Sequence, residues 1–510
     1  MIPGDTRLNA ARRARELEQL GDAAEVDVVV IGGGITGAGL ALDAASRGLS
    51  TVLVERHDLA FGTSRWSSKL VHGGLRYLAS GQFGIAYESA AERHILMTRT
   101  APHLTRAVAQ VMPLFAPGHR SRGAYVGAGY LLGDGLRRVA RTPGSLLRAP
   151  APIDADTVRA LAPAVRGAEL RGGLRGWDGQ LIDDARLVIA VARTAAGFGA
   201  RILTRVAAVR AAGDTVALRD ERGGGALTLR ARAVLNATGV WAGDLDPDVL
   251  LRPSRGTHLV LDAARLGGSD VSLTVPLPGS RNRVVFTVPA PHGRVYVGLT
   301  DVPADGPVPD VPEPSEAEIA LLLDTLSAAL ELPLERSDVL GAFAGLRPLL
   351  VDPGGAEGDT ADLSRRHAIL ESADGVLSVV GGKLTTYRRM AQDGIDAAAA
   401  RRGLAVPASP TRDLPLVGAW PRARLDGIAA APRLVRRYGT EAPRVAALPE
   451  GRDAVRGVTA QELVWAVAAE GALTVDDLLD RRTRLGLVTG DREASLPAAE
   501  AALDAAPSGR

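Results

Sequence analysis

The chain has 510 residues, 46% of them hydrophobic and 23% charged, and carries a formal net charge of +2. This balance excludes a mostly disordered, fibrous or multi-span membrane chain, and about 150 residues per domain predicts two to four domains. The small net charge and the aromatic content of 4% give no indication of nucleic-acid binding, and the lack of cysteine excludes disulfides, thiolate metal sites and a catalytic thiol.

The first predicted elements form a βαβ unit. Within residues 1–25, an Arg-rich stretch predicts an N-terminal basic helix over 7–20. Residues 26–31 (VDVVVI) are a continuous apolar run, as in a strand buried on both faces of a parallel sheet. A helix is predicted over Thr36–Arg47 and a second strand over Thr51–Val54. This order is typical of α/β folds.

Three glycines lie between the first strand and the helix. Gly32, Gly34 and Gly37 fit the pattern GxGxxG, in which the first permits a tight turn, the second lets the backbone approach a pyrophosphate, and the third lets the helix pack on the strand. Glu55 ends the second strand, near the distance expected for an acid that binds ribose hydroxyls. The pattern predicts a dinucleotide site without choosing between NAD and FAD.

The later segments alternate between helical and strand patterns. Residues 90–150 are predicted to be mainly helical, with a turn near Pro117. Short strands are predicted over 201–203, 204–219, 226–232, 234–239, 376–380 and within 257–300, and helices over 187–198 and 384–400. Beyond a proline-containing linker at 407–410, residues 418–505 show helical periodicity. We therefore predict a central domain over 26–405 and a C-terminal helical domain over 411–505.

Only two of the 60 basic residues are lysines, and both lie in glycine-containing segments. Lys69 belongs to residues 62–78, a segment dense in hydroxyls, glycines and cations that could wrap phosphates. Lys383 follows Gly381 and Gly382 in a second strand–glycine–helix turn. Because lysine and arginine are not interchangeable where a compact charge is needed, we predict that both lysines lie at the cofactor.

The motifs together resemble the FAD-dependent glycerol-3-phosphate dehydrogenases. The resemblance begins with VVVIGGGITGAGLALDAASRG and GTSRWSSKLVHGGLRYL, and it continues in family order through NATGVWAGDL, RPSRGTHLVL, VYVGLTD, AGLRPL, LSRRH, GGKLTTYRRM, RYG and RRTRLGL. It therefore covers nearly the whole chain. It implies an α/β fold in which a Rossmann-like FAD-binding domain is interleaved with a β-sheet substrate-binding domain, followed by an all-α C-terminal domain.

The resemblance also assigns site residues. Those expected at FAD are Gly32, Gly34, Gly37, Glu55, Thr63, Ser64, Ser68, Lys69, His72, Gly73, Gly74, Gly382 and Leu384. Those expected at the phosphate and polar end of the substrate are Arg76, Tyr77, Arg347, Arg365 and Lys383. His72, His258, Lys383 and Arg347 are the expected catalytic residues, and either histidine could remove the hydroxyl proton. No metal site is expected.

The implied reaction is oxidation of sn-glycerol 3-phosphate to dihydroxyacetone phosphate, with hydride passing from C2 to flavin N5 and electrons passing on to a membrane quinone. That acceptor implies a cytoplasmic protein that is peripheral on the inner face of the membrane, with contacts expected at the N-terminal helix and at 433–437. A homodimer is compatible with the sequence. The alternatives are an oxygen-using glycerol-3-phosphate oxidase and a non-catalytic FAD-binding scaffold.

Overall fold

The computed structural model describes residues 2–21, 25–74, 81–280, 283–351 and 366–505. In chain order, its strands are β1 Val26–Ile31, β2 Thr51–Glu55, β3 Leu70–Val71, β4 Thr105–Phe115, β5 Ala151–Ile153, β6 Leu170–Leu181, β7 Arg201–Thr204, β8 Val206–Ala212, β9 Thr215–Asp220, β10 Ala226–Asn236, β11 Ser254–Asp262, β12 Ser272–Pro276, β13 Val284–Ala290, β14 Arg294–Gly298, β15 Val302–Pro303, β16 Gly341–Arg347, β17 His367–Glu371 and β18 Leu377–Gly381.

The α-helices alternate with these strands, and only helices follow β18 in the described chain. They are α1 Ala10–Gly21, α2 Ile35–Ser46, α3 Phe83–Ile95, α4 His119–Val139, α5 Ala155–Leu161, α6 Asp184–Gly197, α7 Ala242–Leu245, α8 Glu316–Ser327, α9 Tyr387–Arg402, α10 Arg422–Leu425, α11 Pro432–Tyr438, α12 Ala442–Ala446, α13 Ala460–Ala469 and α14 Thr489–Ala505. Within the described ranges, none combines the length and the apolar character needed to cross a bilayer.

The first sheet carries the predicted βαβ unit. Its strand order is β17-β18-β10-β1-β2-β7, with β9 and β8 added beside β10. β1 lies between β10 and β2 and is parallel to both. The helices α2, α6 and α9 cover one face of the sheet, and apolar residues of β8 and β9 pack on the other. The β1 residues are therefore buried on both sides, as the unbroken apolar run predicts. The glycines that follow β1 therefore lie at the carboxyl edge of a parallel sheet, where α/β proteins bind ligands.

The second sheet has the order β15-β11-β14-β13-β12-β4-β6-β3, with β16 beside β11 and β5 beside β6. Its strands β11, β13 and β14 correspond to the short strands predicted within 257–300. The prediction of a mainly helical segment over 90–150 is wrong for Thr105–Phe115, which forms the long strand β4. Eleven residues of β4 pair antiparallel with β6. The apolar residues of β4 fit the period of a helix as well as that of a strand, so only the pairing with β6 identifies the strand.

Candidate functional site

A cavity of about 1960 Å³ is lined by residues of both sheets. Ile31 and Val54, at the carboxyl ends of β1 and β2, line it on the side of the first sheet. Met112 and Phe286, from β4 and β13, line it on the side of the second. The volume is large enough for a dinucleotide and a small substrate together, since drug-sized ligands occupy about 300–1,000 Å³.

The glycine turn after β1 forms a cradle that side chains would fill. A Cβ on Gly32 would lie 2.6 Å from the carbonyl oxygen of Ala237, and Gly32 has a φ of +112°. A Cβ on Gly37 would lie 1.8 Å from the carbonyl oxygen of Gly32, so α2 can approach β1 only because residue 37 is glycine. Gly34, the N-cap residue of α2, has no side chain of its own to cap the helix, and the N-terminus of α2 lies at the cavity. This cradle fits a pyrophosphate.

Glu55 stabilises the same turn from β2. One carboxylate oxygen accepts from the backbone N–H of Gly33 at 2.6 Å, and the other accepts from the N–H of His57 at 2.7 Å. Burial raises the pKa of Glu55, while these two hydrogen bonds oppose that shift. Each oxygen keeps a lone pair for a further donor, so Glu55 can accept from ribose hydroxyls while it holds the turn.

The segment after β2 brings hydroxyls to the cavity. Ser64 Oγ accepts from the backbone N–H of Ile35 at 2.9 Å, and Thr63 Oγ1 donates to the carbonyl oxygen of Leu346 at 2.7 Å. Ser68 Oγ is 2.9 Å from Nε2 of His258. Thr63, Ser64 and Ser68 all line the cavity, so the loop joins the glycine turn to the second sheet.

Lys69 is placed differently from its prediction. Its Nζ lies beneath the loop, where it donates to the carbonyl oxygens of Ser67 at 2.8 Å and Arg65 at 3.2 Å and lies 3.2 Å from Asp184. Burial lowers the pKa of Lys69 to about 8. The ammonium therefore satisfies main-chain acceptors behind the cavity wall instead of lining the cavity, which corrects the expectation of direct contact with the cofactor.

Gly73 likewise lies behind the wall. Its N–H donates to Asp178 at 3.3 Å, and a Cβ there would lie 2.2 Å from the guanidinium of Arg93. Gly74 does line the cavity, with a φ of +83°. Gly73 therefore allows close packing against Arg93, whereas Gly74 forms part of the cavity surface.

His72 reaches the cavity beside a buried carboxylate. Its side chain is half-exposed, and its Nδ1 lies 3.8 Å from Oδ2 of Asp178. Arg93 donates to the other oxygen of Asp178 at 2.6 Å. Burial alone would raise the pKa of Asp178, but the charges of Arg93 and His72 outweigh it and lower the pKa. Asp178 is therefore ionised, and its carboxylate lies beside the imidazole of His72.

His258 is buried and electrostatically opposed to protonation. Its side chain stacks on Phe343 with a ring-centroid distance of 4.9 Å, and the residue is 2% exposed. Burial, with further contributions from Lys69 and Arg347, lowers the pKa of His258 to about 3. His258 is therefore a neutral hydrogen-bonding partner of Ser68 at neutral pH. Burial likewise lowers the pKa of His103 to about 3.

These two histidines predict a pH dependence of folding stability. Their pKa values lie below the value near 6.5 of an unfolded histidine, so between about pH 6.5 and pH 3 the unfolded chain binds protons that the folded chain does not. Stability should therefore fall as the pH is lowered through this window. In urea unfolding of the apoprotein at several pH values, His258→Asn should reduce the slope by up to about 1.4 kcal/mol per pH unit. Identical slopes for variant and parent would contradict the assignment.

Arg347 ends β16 at the cavity. Its guanidinium donates to Ser254 Oγ at 3.2 Å and to the carbonyl oxygen of Thr300 at 3.3 Å, and it lies 3.3 Å from Asp301. A Cβ on Gly256, across the strand pair, would lie 2.4 Å from the guanidinium. The glycine therefore leaves room for a planar cation whose neighbours restrict its orientation.

Lys383 approaches from the second glycine turn. Gly381 and Gly382 have φ values of +76° and +72°, and the turn places Lys383 and Leu384 at the cavity. The ammonium of Lys383 donates to Ser89 Oγ of α3 at 2.6 Å. Unlike Lys69, Lys383 is among the residues that line the cavity.

Three of the expected site residues lie outside the described part of the chain, and two residues that line the cavity were not predicted. Arg76, Tyr77 and Arg365 lie outside the described residues. Asp178 and Tyr130 line the cavity without having been predicted. A lone acid within the strand segment LRGGLRGWDGQL was the signal for Asp178, whereas Tyr130 depends on how α4 packs over β6. In the described part of the chain, no three acidic or histidine side chains are placed to hold a metal ion.

Comparison with known proteins identifies the family. Residues 27–388 match the FAD dependent oxidoreductase family, and residues 409–506 match the C-terminal domain of alpha-glycerophosphate oxidase. Glycerol-3-phosphate dehydrogenase 1 of Mycobacterium tuberculosis is 55% identical over 508 residues, covering 97% of this chain and 98% of that protein. The chain belongs to the FAD-dependent glycerol-3-phosphate dehydrogenase family.

Solved structures agree with this membership of the dehydrogenase family. The glycerol-3-phosphate dehydrogenase from Bacillus halodurans, complexed with FAD, superposes with a TM-score of 0.73 at 26% identity, covering 97% of this chain and 94% of that one. L-alpha-glycerophosphate oxidase from Mycoplasma pneumoniae shares the fold, with a TM-score of 0.57 at 17% identity over 78% of this chain and 100% of that one. The predicted family, fold class and FAD cofactor are thereby confirmed.

Proposed function

We propose that this dehydrogenase oxidises sn-glycerol 3-phosphate to dihydroxyacetone phosphate. The observation that carries the proposal is that one cavity joins the dinucleotide cradle at Gly32 to the side chains of His72, Arg347 and Lys383. Cations at that end suit a phosphorylated, anionic substrate. Bound FAD supplies the two-electron acceptor for the hydride that leaves C2.

His72 is the better candidate for the base that takes the C2 hydroxyl proton. It is half-exposed at the cavity, and the ionised Asp178 beside it stabilises the imidazolium that would form. A pKa of about 3 makes His258 a weak base, although its hydrogen bond to Ser68 shapes the wall of the cavity. We therefore propose that His72 accepts the C2 hydroxyl proton and that His258 has a positioning role.

Arg347 is suited to stabilise negative charge on the C2 oxygen of the substrate. Arg347 lines the cavity, and the carbonyl oxygen of the preceding Leu346 accepts from Thr63 in residues 62–74, the cofactor loop. A fixed cation there stabilises negative charge as the hydroxyl proton leaves. Arg76, Tyr77 and Arg365 remain predicted ligands of the phosphate.

The reaction can be tested by anaerobic reduction of the bound flavin. Glycerol 3-phosphate should bleach the flavin absorbance band, whereas glycerol and lactate at the same concentration should act far more slowly. Bleaching by lactate alone would refute the proposed substrate. Absence of bleaching by all three compounds would instead favour the non-catalytic FAD-binding scaffold.

We further propose that a membrane quinone reoxidises the flavin. The competing acceptor is molecular oxygen, which would make the protein a glycerol-3-phosphate oxidase. Stoichiometric hydrogen peroxide without any need for quinone would identify an oxidase. Quinone-dependent turnover with little peroxide would support the dehydrogenase, acting on the inner face of the cytoplasmic membrane.

The helix α4 offers a better membrane contact than the regions favoured by sequence alone. In the N-terminal helix Arg12 pairs with Glu16 at 2.6 Å, and in the 433–437 region Arg433 pairs with Glu462. By contrast, α4 exposes apolar side chains among arginines and borders the cavity. Its exposed apolar residues are Tyr125, Leu131, Leu132 and Val139. Aromatic and leucine side chains beside arginines favour an anionic lipid surface.

This membrane contact predicts the behaviour of one leucine variant. Leu131→Glu should weaken binding to vesicles that contain phosphatidylglycerol by about tenfold, because it removes an exposed leucine that would enter the lipid surface and adds a charge that the anionic lipid repels. Sedimentation with vesicles measures the effect. Leu332→Glu is the matched control, since Leu131 and Leu332 are both 66% exposed. Equal binding by the two variants would place the membrane contact elsewhere.

A further inference from the structure

The cofactor loop is held from behind by a carboxylate and an ammonium. The backbone N–H and the hydroxyl of Ser67 donate to Asp184 at 2.9 and 2.8 Å, and Lys69 bridges Asp184 to the carbonyl oxygen of Arg65. Asp184 begins α6 in the core of the FAD-binding region. These contacts fix the back of the loop but leave the carbonyl of Arg65 open to a second donor.

That second donor comes from the C-terminal domain. Arg484 donates to the carbonyl oxygen of Arg65 at 2.7 Å, and its guanidinium lies 5.1 Å from the ring of Trp66. Trp66 lines the cavity. Leu487 and Val488 pack in the same apolar cluster as Trp66. A segment more than 400 residues later in the sequence thus contacts the loop that faces the cofactor.

Two neighbouring arginines anchor this segment to the FAD-binding region. Arg481 and Arg482 donate to Asp58 at 2.7 and 2.8 Å, and Asp58 is 1% exposed. Burial alone would raise the pKa of Asp58, but the two guanidinium groups outweigh it and lower the pKa. Asp58 lies three residues beyond Glu55, so the anchor adjoins the ribose side of the cradle.

We infer that the C-terminal domain is a clamp on the cofactor loop, and that Arg484 is the positioning residue through which it retains FAD. The anchor at Asp58 places residue 484 over the loop. The guanidinium then fixes Arg65 and Trp66 between Ser64, which caps the first turn of α2, and Ser68. A planar group is needed, because it must donate to a carbonyl and contact an aromatic ring at once.

Titration of the apoenzyme with FAD, followed by flavin fluorescence, tests the clamp. Arg484→Met keeps the aliphatic stem but loses the guanidinium, and it should weaken FAD binding by about tenfold or more. The matched control is Arg492→Met, which removes an arginine of the same domain that pairs with Asp476 and does not contact the loop. The control should keep parental affinity. The assay uses neither substrate nor acceptor, so its outcome is independent of the proposed reaction.

Thermal unfolding of the apoenzyme separates positioning from general stability. The clamp predicts weaker FAD binding with an apoenzyme midpoint close to that of the Arg492→Met control. Parental FAD affinity in folded Arg484→Met would overturn the inference. If that variant does not fold, Arg484→Lys replaces it, because it keeps the charge but lacks the planar group. Parental affinity in Arg484→Lys would then overturn the inference as well, whereas a loss of threefold or more, reversed by excess FAD, would support it.

Discussion

Replacing His72 with asparagine is expected to slow anaerobic reduction of the bound flavin by glycerol 3-phosphate by about 10²- to 10⁴-fold, the usual contribution of a general base. Asparagine keeps hydrogen-bonding capacity but cannot accept the C2 hydroxyl proton. The loss should therefore appear in the rate of flavin reduction at saturating substrate, measured by stopped-flow absorbance, while the dissociation constant for FAD stays close to the parental value.

His258→Asn provides the comparison for that variant. Because the pKa of His258 lies near 3, its imidazole is a weak base at neutral pH, and its loss should affect the rate less than the loss of His72. A larger loss of rate in His258→Asn than in His72→Asn would transfer the role of base to His258.

Replacing Arg347 with methionine is expected to lower the rate of flavin reduction by about 10²- to 10³-fold, as for the loss of one donor to a developing oxyanion. The guanidinium is held by Ser254, Thr300 and Asp301, and methionine keeps the aliphatic stem without the positive charge. Because the proposed target is the C2 oxygen, glycerol and glycerol 3-phosphate should lose rate by the same factor.

Arg255→Met is the matched control for Arg347. Arg255 lies on the adjoining strand β11 and pairs with Glu318 at 2.9 Å, outside the cavity lining. Its replacement should leave flavin reduction nearly unchanged. A loss confined to glycerol 3-phosphate in Arg347→Met, with glycerol unaffected, would show that Arg347 binds the phosphate instead of the C2 oxygen.

The local parts of the site could be predicted because their signals lie within a few residues. The apolar run 26–31 predicts a buried strand, and the adjoining turn and helix require glycine at Gly32, Gly34 and Gly37. The structure shows the reason at Gly37, where a Cβ would collide with the carbonyl oxygen of Gly32. The strand β4 could not be predicted in this way, because its apolar pattern is ambiguous until it pairs with β6.

The two lysines show where prediction from the sequence ends. The family, the FAD cofactor and the glycine turn that precedes Lys383 follow from the sequence alone, because ordered motifs and local backbone geometry specify them. The placement of Lys383 at the cavity and of Lys69 behind the loop, beside Asp184, depends on the folded chain. The tertiary structure alone also brought Arg484 to that loop. The direction of a side chain depends on partners far away in sequence, and burial decides which partner a charge must find.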